Sequence, residues 1–349
     1  MYLFYYERLR PDAQKAYVQV YEHFLSKKTE IIIRSPKLKD AELPQIISAV
    51  FNDHPELYTE DSGRWDYRIT KIKATFPTPI KNIFDNPEEV RFINSIIEIA
   101  KKHCHSDYEF VKFIHDFVVN NVNYDFDEIK DNSFIISNHH AYGALNTGKA
   151  VCEGIARLTQ LLLNMCGIKA TYCRGDIKER SNPSASHGWV VVCVDGNYYH
   201  LDVSHDICNT KRKINKLYNH FLLPYNEIIN DRNVYHNEYF KDLPCATNRY
   251  NYFHYNNCYF TSVQQLSTAL QEVLSNATAN RWKSKFFQFK LDKRILDAYP
   301  NESWNKMCMS EIKKAIDIFS ARNKWVKTGY DTPYYFPKLG IYSINFTFS

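Results

Sequence analysis

The sequence predicts an α+β fold in which one helix packs across an antiparallel sheet. Residues 152–165 carry apolar side chains at helical spacing and are followed by Gly167, a residue that favours the end of a helix. Residues 187–204 are rich in Val, Tyr and Trp and are divided by Asp195-Gly196, a strong two-residue turn signal. We expect this helix and hairpin to form the core, with N- and C-terminal α/β modules on either side.

The elements around this core are predicted from apolar periodicity, capping residues and prolines. In chain order the predictions are a helix over 1–28, a strand over 29–34, a helix over 42–51, an extended segment over 65–76, helices over 86–103 and 107–122, a polar loop over 124–150, a polar loop over 174–186, a helix over 262–274, a strand over 283–291, a helix over 311–319 and a strand over 339–348. We divide the chain into an N-terminal helix and strand module (1–85), a core (86–230) and a C-terminal α/β module (231–349). The N-terminal module is predicted to pack on the core or to shape a substrate groove.

Composition narrows the class of protein. The chain has 349 residues, of which 44% are hydrophobic and 24% charged, as in soluble globular proteins. The net charge of +5 is small for this length and does not indicate nucleic acid. Basic and aromatic residues alternate near 281–294, a pattern that single-stranded nucleic acid or an edge strand protected by lysines would explain, and we favour the edge strand.

No metal site or membrane span is predicted. The nine cysteines form no C-x-x-C pair, which favours a reducing compartment and argues against structural zinc. His103-Cys104-His105 are adjacent residues that rarely face one ion, and no second cluster follows them. No apolar run reaches the length of a membrane helix, and the N-terminus lacks a signal-peptide layout, so we expect a cytoplasmic protein.

Cys152 has the features of a nucleophile. It begins the predicted core helix, where unpaired backbone N–H groups and the positive end of the helix dipole favour a thiolate over a thiol. The other eight cysteines lack this position and are interpreted as small core residues.

The hairpin supplies two partners for the cysteine. With a two-residue turn at Asp195-Gly196, His187 lies opposite Ser204 and Trp189 lies opposite Asp202. His187 and Asp202 are then diagonal neighbours on one face, roughly 7–8 Å apart at the backbone. A three-residue turn would place them on opposite faces. A cysteine, a histidine and an aspartate in this arrangement can form a nucleophilic triad.

The stretch from Gly148 to Asp206 resembles the transglutaminase-like superfamily, in the bacterial branch described as transglutaminase-like cysteine proteases. The matching positions are Cys152 followed by Glu153-Gly154, His187 followed by Trp189, and Asp202 after Tyr199. The resemblance extends from near residue 107 to near residue 224. It implies a papain/transglutaminase-like core in which Cys152 is the nucleophile, His187 the general base and acid, and Asp202 the residue that orients His187.

The resemblance also implies that the approach to the cysteine forms one wall of the active site. Within it, Tyr142 is the candidate donor to the oxyanion, together with the backbone N–H of Cys152; a buried structural tyrosine is the alternative interpretation. Trp189 is the candidate substrate-binding residue. No cofactor is expected.

The triad chemistry predicts acyl transfer through a thioester but leaves the acyl acceptor open. The family includes peptidases, deamidases, crosslinking enzymes and glycan-removing amidases. The chain lacks the metal-binding cysteine pairs of the glycanases and anything resembling the calcium sites of the animal crosslinking enzymes. We therefore favour a cysteine peptidase or amidase acting on a protein or peptide. Crosslinking or deamidation of protein glutamine, and a non-catalytic scaffold that keeps the fold, are the alternatives.

Overall fold

The computed structural model of the chain contains two compact units. It describes residues 1–34, 38, 42–59, 68–69, 73–76, 78–131, 134–178, 186–209, 216–244, 247–299 and 303–349. Residues 1–216 and 220–247 form the first unit, and residues 217–219 and 248–349 form the second. The predicted boundaries after residues 85 and 230 divide the chain at other places, so the three-module division stays a prediction about sequence organisation.

Within the described residues, the first unit contains nine α-helices and eleven strands. The helices are α1 (Pro11–Leu25), α2 (Glu42–Asp53), α3 (Pro87–His103), α4 (Asp107–Asn121), α5 (Phe126–Lys130), α6 (Ala141–Thr147), α7 (Cys152–Met165), α8 (Val203–Asn209) and α9 (Tyr225–Asp231). The strands are β1 (Glu30–Ile32), β2 (Leu57–Tyr58), β3 (Arg68–Ile69), β4 (Lys73–Thr75), β5 (Lys81–Asn82), β6 (Asn123–Tyr124), β7 (Lys149–Ala150), β8 (Ala170–Ile177), β9 (Ser186–Val194), β10 (Asn197–Leu201) and β11 (Arg232–Val234).

A four-stranded antiparallel sheet is the centre of this unit, with strand order β10-β9-β8-β11. Helix α7 packs on β8 and β9. The N-terminal helices α1 and α2 share a core with Cys173, Trp189 and Val191, which alternate with residues facing α7. The sheet is therefore covered on both faces, which explains why β9 is buried along most of its length.

The predicted helix and hairpin are confirmed. Helix α7 begins at Cys152 and ends before Gly167, which has a φ of +87°. Strands β9 and β10 pair with Asn197 opposite Val194, the register that the two-residue turn requires. Asp195 and Gly196 both have positive φ, +46° and +78°, as expected for a turn that matches the twist of a hairpin.

Several predicted boundaries are wrong. The first helix starts at Pro11 instead of residue 1. The segment 124–150 is not simply a loop, because it holds α5 and α6 and the strands β6 and β7; elements this short show no periodicity in sequence. The predicted loop 174–186 begins inside β8, while 179–185 lies outside the described residues.

The second unit is a helix-covered sheet. Its helices are α10 (Tyr252–Tyr255), α11 (Val263–Ala279), α12 (Lys293–Ala298) and α13 (Ser303–Arg322), and its strands are β12 (Tyr259–Phe260), β13 (Ser284–Leu291), β14 (Thr328–Tyr330), β15 (Tyr334–Phe336) and β16 (Ile341–Phe348). Strand β13 pairs with β16 along its length. Its C-terminal residues Lys290 and Leu291 also pair with β12 on the other side, so the prediction of an edge strand is wrong for these two residues. No helix in the described part of the chain is both long and apolar enough to cross a membrane.

Candidate active site

Cys152 is the first residue of α7 and is half-buried. Val151 precedes it in an extended conformation, with no side chain capping the helix. Gly154 lets this helix start approach the backbone of Asn138, because a Cβ at Gly154 would come within 2.3 Å of the Asn138 carbonyl oxygen. The sulfur therefore lies at a helix N-terminus whose N–H groups and dipole favour negative charge.

Glu153 carries a negative charge beside the thiol, and its neighbours compensate for it. Arg157 Nη2 lies 2.8 Å from Glu153 Oε1, and His139 Nδ1 lies 3.3 Å from Oε2. Burial raises the pKa of the Glu153 carboxyl, but the Arg157 guanidinium and the His139 ring outweigh burial and hold the pKa below its usual range. Because the charge is paired, Glu153 opposes the thiolate less than a bare carboxylate would.

His187 and Asp202 are in direct contact. His187 Nε2 lies 2.6 Å from Asp202 Oδ2, and both side chains are almost fully buried. Burial lowers the pKa of His187, but the Asp202 carboxylate and Cys152 outweigh burial and raise it to about 9. The contact uses Nε2, which leaves Nδ1 as the nitrogen available to the thiol; Nδ1 has no hydrogen-bond partner among the described residues.

The thiol of Cys152 responds to His187 in the complementary direction. Burial raises the pKa of Cys152, but the charge of the adjacent His187 and the backbone N–H of Gly188 outweigh burial and lower it. Among the causes that lower the pKa of the thiol, the charge of the His187 ring is the largest. A cysteine pKa that falls while the histidine pKa rises is the behaviour of a thiolate–imidazolium pair.

The prediction that β10 continues to Ser204 is wrong, and the reason lies in Asp202. The strand ends at Leu201 and α8 begins at Val203. Asp202 Oδ1 accepts hydrogen bonds from the Ser204 hydroxyl at 2.8 Å and the His205 backbone N–H at 3.0 Å, as a helix-capping aspartate does. Ser204 is therefore not opposite His187, but the carboxylate is fixed at the junction of strand and helix.

Arg232 on β11 contacts the same carboxylate. Its Nη2 lies 2.9 Å from Asp202 Oδ2 and 2.7 Å from His205 Nδ1, and its Nη1 bonds to Asp231. Burial raises the pKa of Asp202, but His187 and then Arg232 hold it well below the usual value. Asp231 in turn accepts from His220 Nε2 at 3.0 Å, so Asp202 lies at one end of a buried charged network.

Asp206 on α8 is also a buried charged residue behind Asp202. It is fully buried and accepts a hydrogen bond from His115 Nε2 at 3.1 Å.

His187, Asp202 and His205 bring one ligand atom each within 4.8 Å of one another, a spacing that would suit a metal ion. Arg232 already contacts both Asp202 Oδ2 and His205 Nδ1. A guanidinium at the centre of the cluster repels a metal cation and uses the lone pairs that would bind it, so the cluster suits an internal ion pair better.

A cleft of about 620 Å³ opens at the first turn of α7, where Glu153 lines it. Its lining includes Glu153 and Arg157 from α7, Tyr172 and Arg174 from β8, and Ser186 at the start of β9. The N-terminal segment supplies another wall through Tyr5, Phe51 and Asn52. Arg157 and Gln160 donate to the carbonyl oxygens of Phe51 and Asn52, so this wall is tied to α7 as well as shaping the groove.

Neither of the two subsidiary candidates, Tyr142 and Trp189, lines the cleft in the part of the chain that the structure describes. Tyr142 on α6 stacks on Tyr58 with ring centroids 4.0 Å apart, and its hydroxyl makes no hydrogen bond within the described chain. Trp189 is 1% exposed, donates to His200 Nδ1 at 2.9 Å and stacks on the His187 ring. Trp189 can thus support His187, while the oxyanion role of Tyr142 and the substrate role of Trp189 stay predictions.

Arg232 and Tyr172 were not among the candidate site residues predicted from the sequence. Nothing near Arg232 in sequence distinguishes it, because its contact with Asp202 arises when β11 pairs with β8. Gly175 permits that pairing: a Cβ there would lie 2.0 Å from the Asn233 carbonyl oxygen. Tyr172 was missed with its strand, although the pattern from Ala170 to Cys173 was available as a signal for β8.

Comparison with known proteins agrees with this architecture. Residues 97–203 match the model of the Transglutaminase-like superfamily. Among the curated proteins, none matches the chain.

Solved structures share only part of the chain at low identity. One is described as a TGase (16% identity, TM-score 0.30, covering 50% of each chain). Another is a candidate cysteine protease from Cytophaga hutchinsonii (17%, TM-score 0.28, 47% of this chain and 55% of that one). A third is a candidate protease from Parabacteroides distasonis (12%, TM-score 0.24, 42% and 40%). The alignments span about half the length of these proteins. The region matched by the family model, residues 97–203, contains Cys152, His187 and Asp202.

Proposed function

We propose that the protein is a thiol-dependent acyl-transfer enzyme that hydrolyses a peptide or amide bond with Cys152, His187 and Asp202. The observation that carries the proposal is the pairing of a half-buried helix-start thiol of lowered pKa with an imidazole whose pKa is raised to about 9. Burial alone would shift both groups the other way, so the pairing reflects a specific arrangement of charges.

The residues take successive roles in the proposed reaction. The Cys152 thiolate adds to the acyl carbon, and the imidazolium of His187 gives its proton to the leaving amine as the carbon–nitrogen bond breaks. Neutral His187 then removes a proton from the acceptor that attacks the thioester. Asp202 holds the ring through Nε2, so that Nδ1 faces the sulfur throughout.

Water is the proposed acyl acceptor, and a protein or peptide is the proposed substrate. The cleft lined by Glu153 of α7 and Ser186 of β9 has about 620 Å³ of space, enough for an extended segment and for water. We further infer a bacterial cytoplasmic enzyme; buried thiols such as Cys104, Cys173 and Cys308, which form no disulfide, agree with a reducing compartment.

The test is incubation of the full chain with casein and a fluorescent primary amine. Cleavage of casein that is lost in Cys152→Ala supports the hydrolase, whereas incorporation of the amine would instead identify a crosslinking enzyme. Cys166→Ala is the matched control, because Cys166 lies at the other end of α7 with a pKa raised by burial to about 11. If wild type modifies neither casein nor other acyl substrates, the scaffold alternative is favoured and the proposal fails.

A further inference from the structure

Tyr172 is a cleft residue that takes no part in the proposed triad. Tyr172 lies on β8 and is 4% exposed, so its side chain is almost completely packed. Its hydroxyl nevertheless makes no hydrogen bond within the described residues. The hydroxyl oxygen is also not one of the completely buried polar atoms that lack a hydrogen-bond partner. The ring is thus held inside the protein while its oxygen reaches the cleft that Tyr172 lines.

The position of Tyr172 is defined by Gly188. The two residues share a face of the sheet, since Tyr172 pairs with Val190 and Gly188 pairs with Arg174. A Cβ at Gly188 would lie 2.6 Å from the Tyr172 hydroxyl oxygen and 2.7 Å from its ring. The missing side chain of Gly188 is therefore the space that the phenol occupies.

Gly188 also connects the phenol with the nucleophile. Its backbone N–H is directed at Cys152 and contributes to lowering the pKa of that thiol. Gly188 directly follows His187, so the phenol that fills the space beside Gly188 lies next to the backbone of the proposed general base. An acyl group attached to the sulfur would therefore form within reach of the Tyr172 hydroxyl.

The neighbours of Tyr172 fix it as a hydrogen-bond donor. The guanidinium carbon of Arg157 lies 4.6 Å from the centre of its ring, and the Tyr5 hydroxyl donates to its backbone carbonyl at 2.9 Å. A cation over the ring makes the phenolic hydrogen more positive, and a buried ring loses little entropy on binding a substrate.

We propose that the Tyr172 hydroxyl donates a hydrogen bond to the acyl oxygen of the substrate and stabilises the oxyanion that forms when Cys152 attacks. In this step the carbon–sulfur bond forms, and the carbonyl π electrons move to oxygen. The phenol keeps its proton and only donates a hydrogen bond. The oxyanion then reforms the carbonyl as the leaving group departs. The inference rests on the proposed acyl transfer and assigns to Tyr172 the role that sequence assigned to Tyr142.

The test compares single-atom deletions in the full chain. Tyr172→Phe and Tyr142→Phe each remove one hydroxyl, and Tyr198→Phe is a control on β10 of the same sheet. Each variant is assayed for acylation of Cys152 by p-nitrophenyl acetate, seen as a nitrophenolate burst, and for alkylation by iodoacetamide at pH 6. Thermal melting of each variant checks the fold.

Acylation should fall roughly 10²–10³-fold in Tyr172→Phe, as on loss of one oxyanion donor. Alkylation should stay within about twofold of wild type, because displacement of iodide develops no charge on an acyl oxygen. Equal acylation in Tyr172→Phe and wild type overturns the inference, as does a loss confined to Tyr142→Phe. Equal losses of acylation and alkylation would also overturn it, since Tyr172 would then act on the thiol alone. A wild type without a Cys152-dependent burst refutes the proposed function itself.

Discussion

The pKa values of Cys152 and His187 are shifted in opposite directions from their ordinary values. The pKa of the thiol is lowered and that of the imidazole is raised to about 9, so each group favours the charged form of the other. The other described cysteines whose pKa departs from the usual value depart upwards: burial raises the pKa of Cys166 and Cys258 to about 11 and that of Cys308 to about 12. Reactivity should therefore differ sharply between Cys152 and these thiols.

Iodoacetamide should modify Cys152 selectively at pH 6, with a rate that changes little between pH 8 and pH 6. An ordinary thiol with a pKa of about 8.5 loses close to 100-fold of its thiolate over that interval. His187→Ala should restore the steep dependence. Mass spectrometry of tryptic peptides measures the modification at each cysteine. Equal labelling of Cys152 and Cys258 at pH 6 would contradict the ion pair.

The raised pKa of His187 predicts an alkaline limit for the proposed activity. In the proposed reaction His187 must be protonated to supply a proton to the leaving amine, and this proton is lost as pH rises through about 9. Its raised pKa also contributes stability below the ordinary value of about 6.5, and this contribution is lost as pH rises through about 9. We expect kcat/KM for an amide substrate to fall above that pH, measured as a pH–rate profile. A profile still rising at pH 10 would be inconsistent with this role.

At the scale of secondary structure, the site depends on where strands end. Asp202 lies between β10 and α8, and Arg232 opens β11 at the opposite edge of the same sheet. The pairing of β8 with β11 brings the guanidinium into the interior, where it shares Asp202 Oδ2 with His187. Arg232 is thus a positioning residue for the carboxylate and not a group that touches substrate.

Replacing Arg232 tests this. Arg232→Met removes a buried cation that opposes protonation of His187, so the alkaline limb of kcat/KM should move to higher pH. It also removes the guanidinium that pairs with the buried Asp231 carboxylate, which should destabilise the fold by about 3–5 kcal/mol. Arg232→Lys keeps the charge and should keep the limb near its original pH.

The double variant Asp231→Asn/Arg232→Met separates the two effects of this change, because it also removes the charge of Asp231 but keeps the effect on His187. Activity profiles and thermal melts report the outcomes, and Arg294→Met, at an exposed ion pair, is the control. A limb that does not move in either Met variant would reduce Arg232 to a structural role.

The elements differ in how far the sequence could predict them. Helix α7 and the turn of the hairpin have strong local signals, namely apolar periodicity, Gly167 and Asp195-Gly196, and both are confirmed. The end of β10 was missed because Asp202 has a capping role that competes with strand continuation. Arg232 could not be found at all, since strand pairing between distant segments leaves no trace in local composition.

On the scale of the whole molecule, the region matched by the family model is smaller than the unit that builds the site. The match ends at residue 203, whereas Arg232 lies beyond it and the cleft wall at Tyr5 and Phe51 lies before residue 97. The carbonyl oxygen of Phe51 accepts from Arg157, and Asp53 accepts from the backbone of Tyr5 and Tyr6. The N-terminal segment is therefore part of the same compact unit as the thiol.

A fragment limited to the predicted core, residues 86–230, should fail to reproduce the site. It keeps Cys152, His187 and Asp202 but lacks Arg232 and the α1–α2 layer that covers one face of the sheet. We expect no cooperative thermal transition by circular dichroism and no selective alkylation at pH 6, with the full chain as the control. A folded fragment that labels Cys152 selectively would show that the core stands alone.

The guanidinium of Arg232 has a consequence for recognising active relatives. A search that scores only cysteine, histidine and aspartate would rank a homologue with leucine at this position as a competent enzyme. Such a protein would bury the aspartate with one fewer positive charge beside it, and the pKa values of the aspartate and the histidine would change although the three motif residues are the same. Distinguishing active from inactive relatives would therefore require inspecting the strand that begins 30 residues after the aspartate.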